Sequence, residues 1–236
     1  TYTGRTRSMA GSDEYGLCMV GRGSFAYRDR RGRVLVDSAT CILGAPNQFG
    51  EVTHPAPCGD QDMLVYVSAD VFAVLGAGDD RVPLAVQAQP RMHVTRRRLL
   101  AAARAGQDTM TVEELALDLV ASALAQAEPQ RVAARRPATQ RARRQLVEDA
   151  RQLLATEPTL SSVTDLAAQL SCSPHHLSRI FASETGTTLG AHRTRLRLNL
   201  ALNDLAEHAM PIADVAARSG FADHGHLTRT MRRYTG

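Results

Sequence analysis

The sequence predicts an α+β multidomain chain, with a small antiparallel β-barrel and a helix pair first and an all-α domain with two helix-turn-helix motifs last. Three observations predict it. Short apolar runs in the first third alternate with Gly, Pro, Asn and Asp clusters, as strands and turns do. After Ser68 the apolar period lengthens to that of helices. From Arg143 onward, capping residues and breakers delimit a series of helices, several of them too short to stand alone. With 236 residues there is room for two domains, each with its own core.

The strands are expected at residues 17–20, 24–28, 33–37, 40–43, 51–54 and 63–67. Asp29-Arg30-Arg31-Gly32 and Pro55-Ala56-Pro57 are among the clusters that separate them. Ser68-Ala-Asp-Val has a capping-box form and opens a short helix through Val71, Phe72 and Leu75, with Gly76 and Gly78 as its stop. Two longer helices follow. One runs from 94 to 105 and stops at Gly106. The other runs from 111 to 127, with Thr111 as cap and Glu113 and Glu114 in its first turn.

Charge separates the two halves. Residues 1–130 hold 13 Arg against 15 acidic residues, whereas residues 131–236 hold 15 Arg against 9. No residue is acidic between Glu128 and Glu148, where Arg131, Arg135, Arg136, Arg141, Arg143 and Arg144 gather around Pro129 and Pro137. That composition predicts a solvated linker at 129–142, with a non-specific phosphate-contacting arm as the alternative, between a domain at 1–128 and a domain at 143–236. The basic character of the last domain suits a polyanionic partner. No apolar run approaches the roughly 18 residues of a membrane span, and no leader-like segment opens the chain, so a cytoplasmic protein with no membrane partner is expected. The four cysteines, Cys18, Cys41, Cys58 and Cys172, form no C-x-x-C pair, which argues against a zinc finger or a disulfide scaffold.

In the last domain a first helix is expected at about 144–156, ending before Pro158. Ser162 caps a short helix whose Leu166, Ala167 and Leu170 point inward. Ser173 and Pro174 then supply an N-cap and a first-position proline for the next helix. Short helix, tight turn, short helix is the helix-turn-helix plan, in which the second helix enters the major groove of DNA. Leu177, Ile180 and Phe181 would anchor that helix, leaving His175, His176, Ser178 and Arg179 to face outward, with Arg179 suited to guanine or phosphate. The arrangement recurs. Pro211 and Ile212 start a helix with Ile212, Val215 and Ala216 inside, Gly220 turns the chain, and a second outward helix carries His224, Gly225, His226, Thr228 and Arg229. A connector at about 188–207, with Leu189, Leu196, Leu200 and Leu205, would span about 30 Å at 1.5 Å per residue, close to one turn of DNA.

The stretches SCSPHHLSRIFASETGTTLGAHRTRLRL and IADVAARSGFADHGHLTRTMRRYTG resemble the two signature regions of the AraC/XylS family of transcription regulators. The shared features are the Ser-Pro helix start, the Leu-x-Arg-x-Phe anchor, the Glu-Thr-Gly after it, the Ile-x-x-Val-Ala run and Gly220-Phe221. The resemblance implies a sequence-specific DNA-binding unit with two reading helices, controlled by an effector bound to a separate sensing or dimerising domain, and hence a homodimeric regulator rather than an enzyme. It implies base contacts from positions matching His175, Ser178 and Arg179 in the first unit and His224, Gly225, Thr228 and Arg229 in the second. The chain departs from the pattern at Gly225, which offers no side chain, and at Leu227 and Met231, where Phe is common in the family. The family's closing proline and final helix would lie past Gly236, so a longer natural chain is expected. The first reading helix is expected to dominate sequence discrimination and the second to contribute to backbone placement.

The first domain resembles the cupin-like barrel that often precedes such a unit. A catalytic cupin needs a His-x-His pair with a carboxylate and a further His, and the strand region offers only His54, so no catalytic set, metal or cofactor is expected. Arg22, Tyr27, Arg33 and His54 are polar candidates for binding a small organic effector. His54 and Cys58, with Cys18 and Cys41 nearby, are the alternative, a soft-metal or thiol-reactive sensor. Two other functions compete. A DNA-repair alkyl-transfer protein needs a clustered, metal-activated cysteine, which the spacing does not favour. An architectural DNA binder would need no cavity in the first domain.

Overall fold

The computed structural model describes residues 6–9, 11–54, 60–75, 85–127, 137–159, 162–207 and 210–235. The chain divides into two compact units, Thr1–Glu128 with Met231–Gly236, and Pro129–Thr230.

The N-terminal unit contains β1 (Thr6–Met9), β2 (Tyr15–Arg22), β3 (Phe25–Asp29), β4 (Gly32–Val36), β5 (Thr40–Gly44), β6 (Gly50–Thr53), β7 (Gln61–Val67) and β8 (Ala85–Gln87), with α1 (Ala69–Val74), α2 (Pro90–Arg104) and α3 (Thr109–Leu124). Its strands are antiparallel and form two four-stranded sheets, ordered β1-β6-β3-β4 and β7-β2-β5-β8. Among the described residues no strand pairing joins the sheets, so the expected antiparallel β-fold takes the form of a pair of sheets. The reason lies at Asp37. This fully buried carboxylate accepts from Ala39 N at 2.9 Å, and its carbonyl accepts from Thr40 N at 3.0 Å, a tight turn that carries the chain from one sheet to the other.

Alternation along β2 divides its side chains between two cores. Tyr15, Leu17 and Met19 join Met63, Val65, Phe72, Met92, Leu99, Leu119 and Val120 in a core between the second sheet and the helices. The Tyr15 and Phe72 rings stack there with centroids 3.7 Å apart. Cys18 and Val20 face the other way, toward Phe25, Tyr27, Val36 and Val52 of the first sheet. The expected strands all form, whereas β1 and β8 are additions. β8 has three residues and β1 reads Thr-Arg-Ser-Met, so neither carries a pattern of its own. Helix α2 begins at Pro90 rather than at 94, because proline fits the first helical position. The cap of α3 is Asp108, which accepts from Thr111 N at 2.9 Å, and not Thr111 itself. Gly76, Gly78 and Cys58 lie outside the described residues.

The C-terminal part of the chain contains α4 (Pro137–Thr156), α5 (Val163–Gln169), α6 (Pro174–Thr185), α7 (Leu189–Glu207), α8 (Ile212–Arg218) and α9 (His224–Thr235). Residues 137–142, expected in the linker, are the first turns of α4. Pro137 opens that helix and the following Ala, Thr, Gln and Arg residues all extend it without a breaker. The core comprises Val147, Ala150, Leu154, Leu166, Ala167, Leu177, Ile180, Phe181, Leu196, Leu198, Val215, Ala216, Phe221 and Leu227. Two expected core residues are not in it. Leu205 is 45% exposed near the end of α7, and Ile212 is 46% exposed at the open first position of α8.

Candidate nucleic-acid interface

Helix α6 is built to hold one face down and present another. Ser173 caps it by accepting from His176 N at 3.2 Å, and Gly186, at φ 68°, closes it in the left-handed conformation. Leu177, Ile180 and Phe181 are 0–1% exposed, which locks the rotation of the helix. His175, His176 and Arg179 are consequently exposed on the opposite side, and Ser178 is half-buried at its edge. The turn before the helix passes through Ser171 at φ 52°, an unusual conformation for a residue with a side chain.

The second unit repeats this construction with different parts. Gly220 has φ 74°, and a Cβ there would lie 3.0 Å from the Arg197 guanidinium, so the position needs glycine for both conformation and space. Asp223 caps α9 by accepting from His226 N at 2.6 Å, and that hydrogen bond holds its carboxyl below the usual range. Leu227 anchors the helix, with Phe221 buried beside it. His224, His226 and Arg229 are exposed, as are Arg232 and Arg233 one turn further on. Sequence reasoning did not single out these last two arginines, although their spacing from Arg229 places them on neighbouring helical turns.

Two of the second set are less available for base reading than their exposure suggests. The Thr228 hydroxyl donates back to the His224 carbonyl at 2.8 Å, leaving only its lone pairs for a partner. The His226 ring stands edge-on to Phe221, with centroids 5.3 Å apart. At Gly225 an added Cβ would lie 3.1 Å from both Arg229 Nη1 and Asp223 Oδ1. The missing side chain therefore makes room for the Arg229 guanidinium beside the helix cap.

Helix α7 links the two units and is tied to both ends of the domain's loops. Arg197 donates from Nε to the Pro158 carbonyl at 2.8 Å, from Nη2 to that of Thr159 at 3.2 Å and from Nη1 to that of Gly220 at 2.9 Å. Further along, buried Asp204 accepts from Arg218 Nε of α8 at 3.2 Å. Earlier in the helix, His192 packs edge-on to Phe181 of α6, with centroids 5.3 Å apart. These contacts make the connector a rigid spacer.

With this geometry in view, comparison with known proteins identifies the domain. Residues 166–236 match the profile of a helix-turn-helix domain family. The C-terminal region is an AraC-type helix-turn-helix domain. An HTH-type transcriptional regulator of Mycobacterium tuberculosis is 31% identical over 74 residues, covering 31% of this chain and 29% of that protein. The aligned stretch thus spans less than a third of this relative. Among solved structures, an apo ToxT variant from Vibrio cholerae is 13% identical, with a TM-score of 0.39, covering 99% of this chain and 90% of that one. The C-terminal domain of AraT, a response regulator from Geobacillus stearothermophilus, is 23% identical with a TM-score of 0.32, covering 45% and 81%.

The N-terminal unit holds the second candidate site, a cavity of about 400 Å³ between its two sheets. Of the effector candidates named from the sequence, Tyr27 and His54 line it, and Arg22 and Arg33 do not. Arg22 lies at the end of β2 and Arg33 in the solvated first half of β4, and both are exposed. Sequence reasoning missed Asp60, Asp62, Glu14 and Tyr66, which reach the cavity because Asp62 and Tyr66 share the face of β7 opposite Met63 and Val65. Cys18 also lines it and donates its S–H to Asp62 Oδ2 at 3.6 Å. Burial and the Asp62 charge push this thiol far up, while burial alone pushes Cys41 up to about 12. Both are therefore protonated and poorly nucleophilic. Among the described residues no group of three or more His, Cys, Asp or Glu could hold a metal ion, and no helix is long and apolar enough to cross a membrane.

Proposed function

We propose that this protein is a sequence-specific, double-stranded DNA-binding transcription regulator whose N-terminal cavity takes a small-molecule effector. The observation that carries this reading is the pair of capped, apolar-anchored helices, α6 and α9. They present His175, His176 and Arg179, and His224, His226 and Arg229, to solvent from a domain with a rigid connector. Imidazole and guanidinium groups at those positions can reach base edges and phosphates when the helices lie in the major groove. Ser178, Gly225 and Thr228 complete the two reading faces, with Gly225 permitting close approach of the helix backbone rather than supplying a contact. The 19 residues of α7 span about 28 Å, which suits successive major grooves on one face of the duplex.

The regulator acts as a homodimer on paired sites in the cytoplasm, with the N-terminal unit biasing the placement of the reading helices. The inter-sheet cavity supports an effector over the purely architectural alternative, since it is within the size range of small-molecule sites. The protonated state of Cys18 and Cys41 supports an organic effector over a thiol-reactive or soft-metal one at these two cysteines. Footprinting of the full chain on DNA upstream of its own gene tests the reading. Protection of two segments about one helical turn apart is expected. Affinity no greater than for random DNA at physiological salt overturns it.

A further inference from the structure

The cavity between the sheets has a chemistry that selects among ligands. Its floor includes Gly16 of β2 and Gly44 of β5, which are cross-strand partners on the inward face. Neither adopts the left-handed conformation, so backbone geometry does not require glycine at either position. A Cβ on Gly44 would meet only the Gly16 backbone, at 3.7 Å or more, and a larger side chain there would occupy the cavity. Over Gly16 the Tyr66 ring stands 3.4 Å from where a Cβ would lie, so the open part of the floor is at Gly44.

The ionisable groups around this space are mostly acidic, with His54 as the one basic side chain among the described lining residues. Glu14, Asp60 and Asp62 contribute carboxylates, with Asp60 Oδ1 held by His54 Nε2 at 2.5 Å and Asp62 taking the Cys18 S–H. No arginine lines the cavity among the described residues, although the chain has 28 basic residues, all arginine. Phe25, Tyr27 and Tyr66 supply aromatic surface. Tyr27 is only 7% exposed, and its hydroxyl has no hydrogen-bond partner among the described residues. The hydroxyl can accept from a ligand N–H, and burial, reinforced by Asp29, pushes the phenol up and keeps it neutral.

We propose that the cavity binds a small organic cation, an alkylammonium of a few carbons, with its charge on the Asp60 and Asp62 carboxylates and its chain against Tyr27, Phe25 and the glycine floor. Carboxylates give charge-assisted hydrogen bonds to ammonium, and aromatic faces attract it. An anionic ligand would meet three carboxylates, with only His54, already paired with Asp60, to offset them among the described lining residues. The proposal rests on the reading of this cavity as the effector site.

Thermal shift and calorimetry on the full chain test it, with 1,4-diaminobutane and n-butylamine as probes and n-butanol and butyrate as controls at matched ionic strength. The amines are expected to give a saturable rise in Tm, and butyrate none. The Asp60→Asn/Asp62→Asn variant is expected to weaken amine binding at least tenfold, and Gly44→Val to abolish it. Circular dichroism checks that each variant is folded, and Asp62→Asn alone supplies a milder form of the charge test. No shift with either amine, or equal binding of butyrate, overturns the cation assignment. Binding of butanol or butyrate that Gly44→Val removes would do so while leaving the effector cavity standing. Amine binding that survives both Gly44→Val and Asp60→Asn/Asp62→Asn would remove the site itself.

Discussion

The Arg197 guanidinium donates to the Gly220 carbonyl at 2.9 Å, fastening the connector helix to the turn of the second helix-turn-helix. The same side chain holds the Pro158 and Thr159 carbonyls in the loop that precedes the first. One planar group thus serves three backbone acceptors from two loops, a task that suits the fork of an arginine and not the point charge of a lysine. Arg197→Ala is expected to cost about 2 to 4 kcal/mol of stability, since three carbonyls lose a charged donor. Arg197→Lys is expected to recover less than half of it. Urea unfolding of the variants, read beside DNA affinity, checks this. An Arg197→Lys variant as stable as the parent would show that the three-way contact is dispensable.

Arg179→Ala and Arg229→Ala separate base reading from backbone contact. A bidentate contact to guanine is worth about 1 to 3 kcal/mol of discrimination against the wrong base. Arg179 stands on an exposed face with Leu177 and Ile180 fixing its direction, so Arg179→Ala is expected to relax sequence preference at one base pair. Arg229 lies beside the helix cap with Arg232 and Arg233 nearby, so Arg229→Ala is expected to weaken binding on all sequences and lower the salt slope. Competition binding on single-base variants at two salt concentrations distinguishes the two patterns.

His93 makes the fold acid-sensitive. Its ring is fully buried, its Nε2 lies 2.6 Å from the Ser38 carbonyl, and burial lowers its pKa from 6.5 to about 4. The unfolded chain therefore binds this proton more readily than the folded one. The contribution of His93 is complete above pH 6.5, falls as the pH drops through the interval to about 4, and levels off below it. The loss amounts to roughly 3 kcal/mol, at about 1.4 kcal/mol per pKa unit. Denaturant midpoints measured from pH 7 to 4 are expected to decline, and His93→Gln, which keeps a donor for Ser38, is expected to flatten the decline.

Gly225→Ala is expected to stabilise the domain and impair binding at the same time. Alanine favours a helix interior over glycine by about 1 kcal/mol, and part of that gain applies in the first turn, where Gly225 lies. The new Cβ would stand 3.1 Å from both Arg229 Nη1 and Asp223 Oδ1, two side-chain ends that must each give by a few tenths of an ångström. A rise in Tm accompanied by weaker operator binding is the expected pair of results. A gain in both would mean that the space at Gly225 has no role in recognition.

Helix-turn-helix geometry was legible because it depends on local chemistry. Ser162, Ser173 and Gly186 are caps whose function shows in the sequence, and Leu177, Ile180 and Phe181 follow the helical period. The cap of α9 was harder to see, since Asp223 precedes a His-Gly-His run rather than an apolar one. The strands were legible from their turns, yet the cavity they enclose was not. Asp62 and Tyr66 reach it through the alternation of β7, while Arg22 and Arg33, selected for their charge alone, lie away from it. Which face of a strand meets a second sheet depends on pairings distant in sequence, such as Gly16 with Gly44, and no local pattern encodes them. Arg197 was invisible for the same reason, because its partners lie 23 to 39 residues away.

The rigidity of α7 has a consequence for how such a protein can change its targets. Each residue added to or removed from a helix turns everything beyond it by about 100° and shifts it by 1.5 Å. A single insertion between Leu196 and Asp204 would swing the second helix-turn-helix off the face of the duplex that the first addresses. If both helices read DNA as proposed, substitutions on α6 and α9 alter the readout a base at a time, whereas any change in connector length alters the phase of the pair at once. New operators would then have to be spelled within that phase.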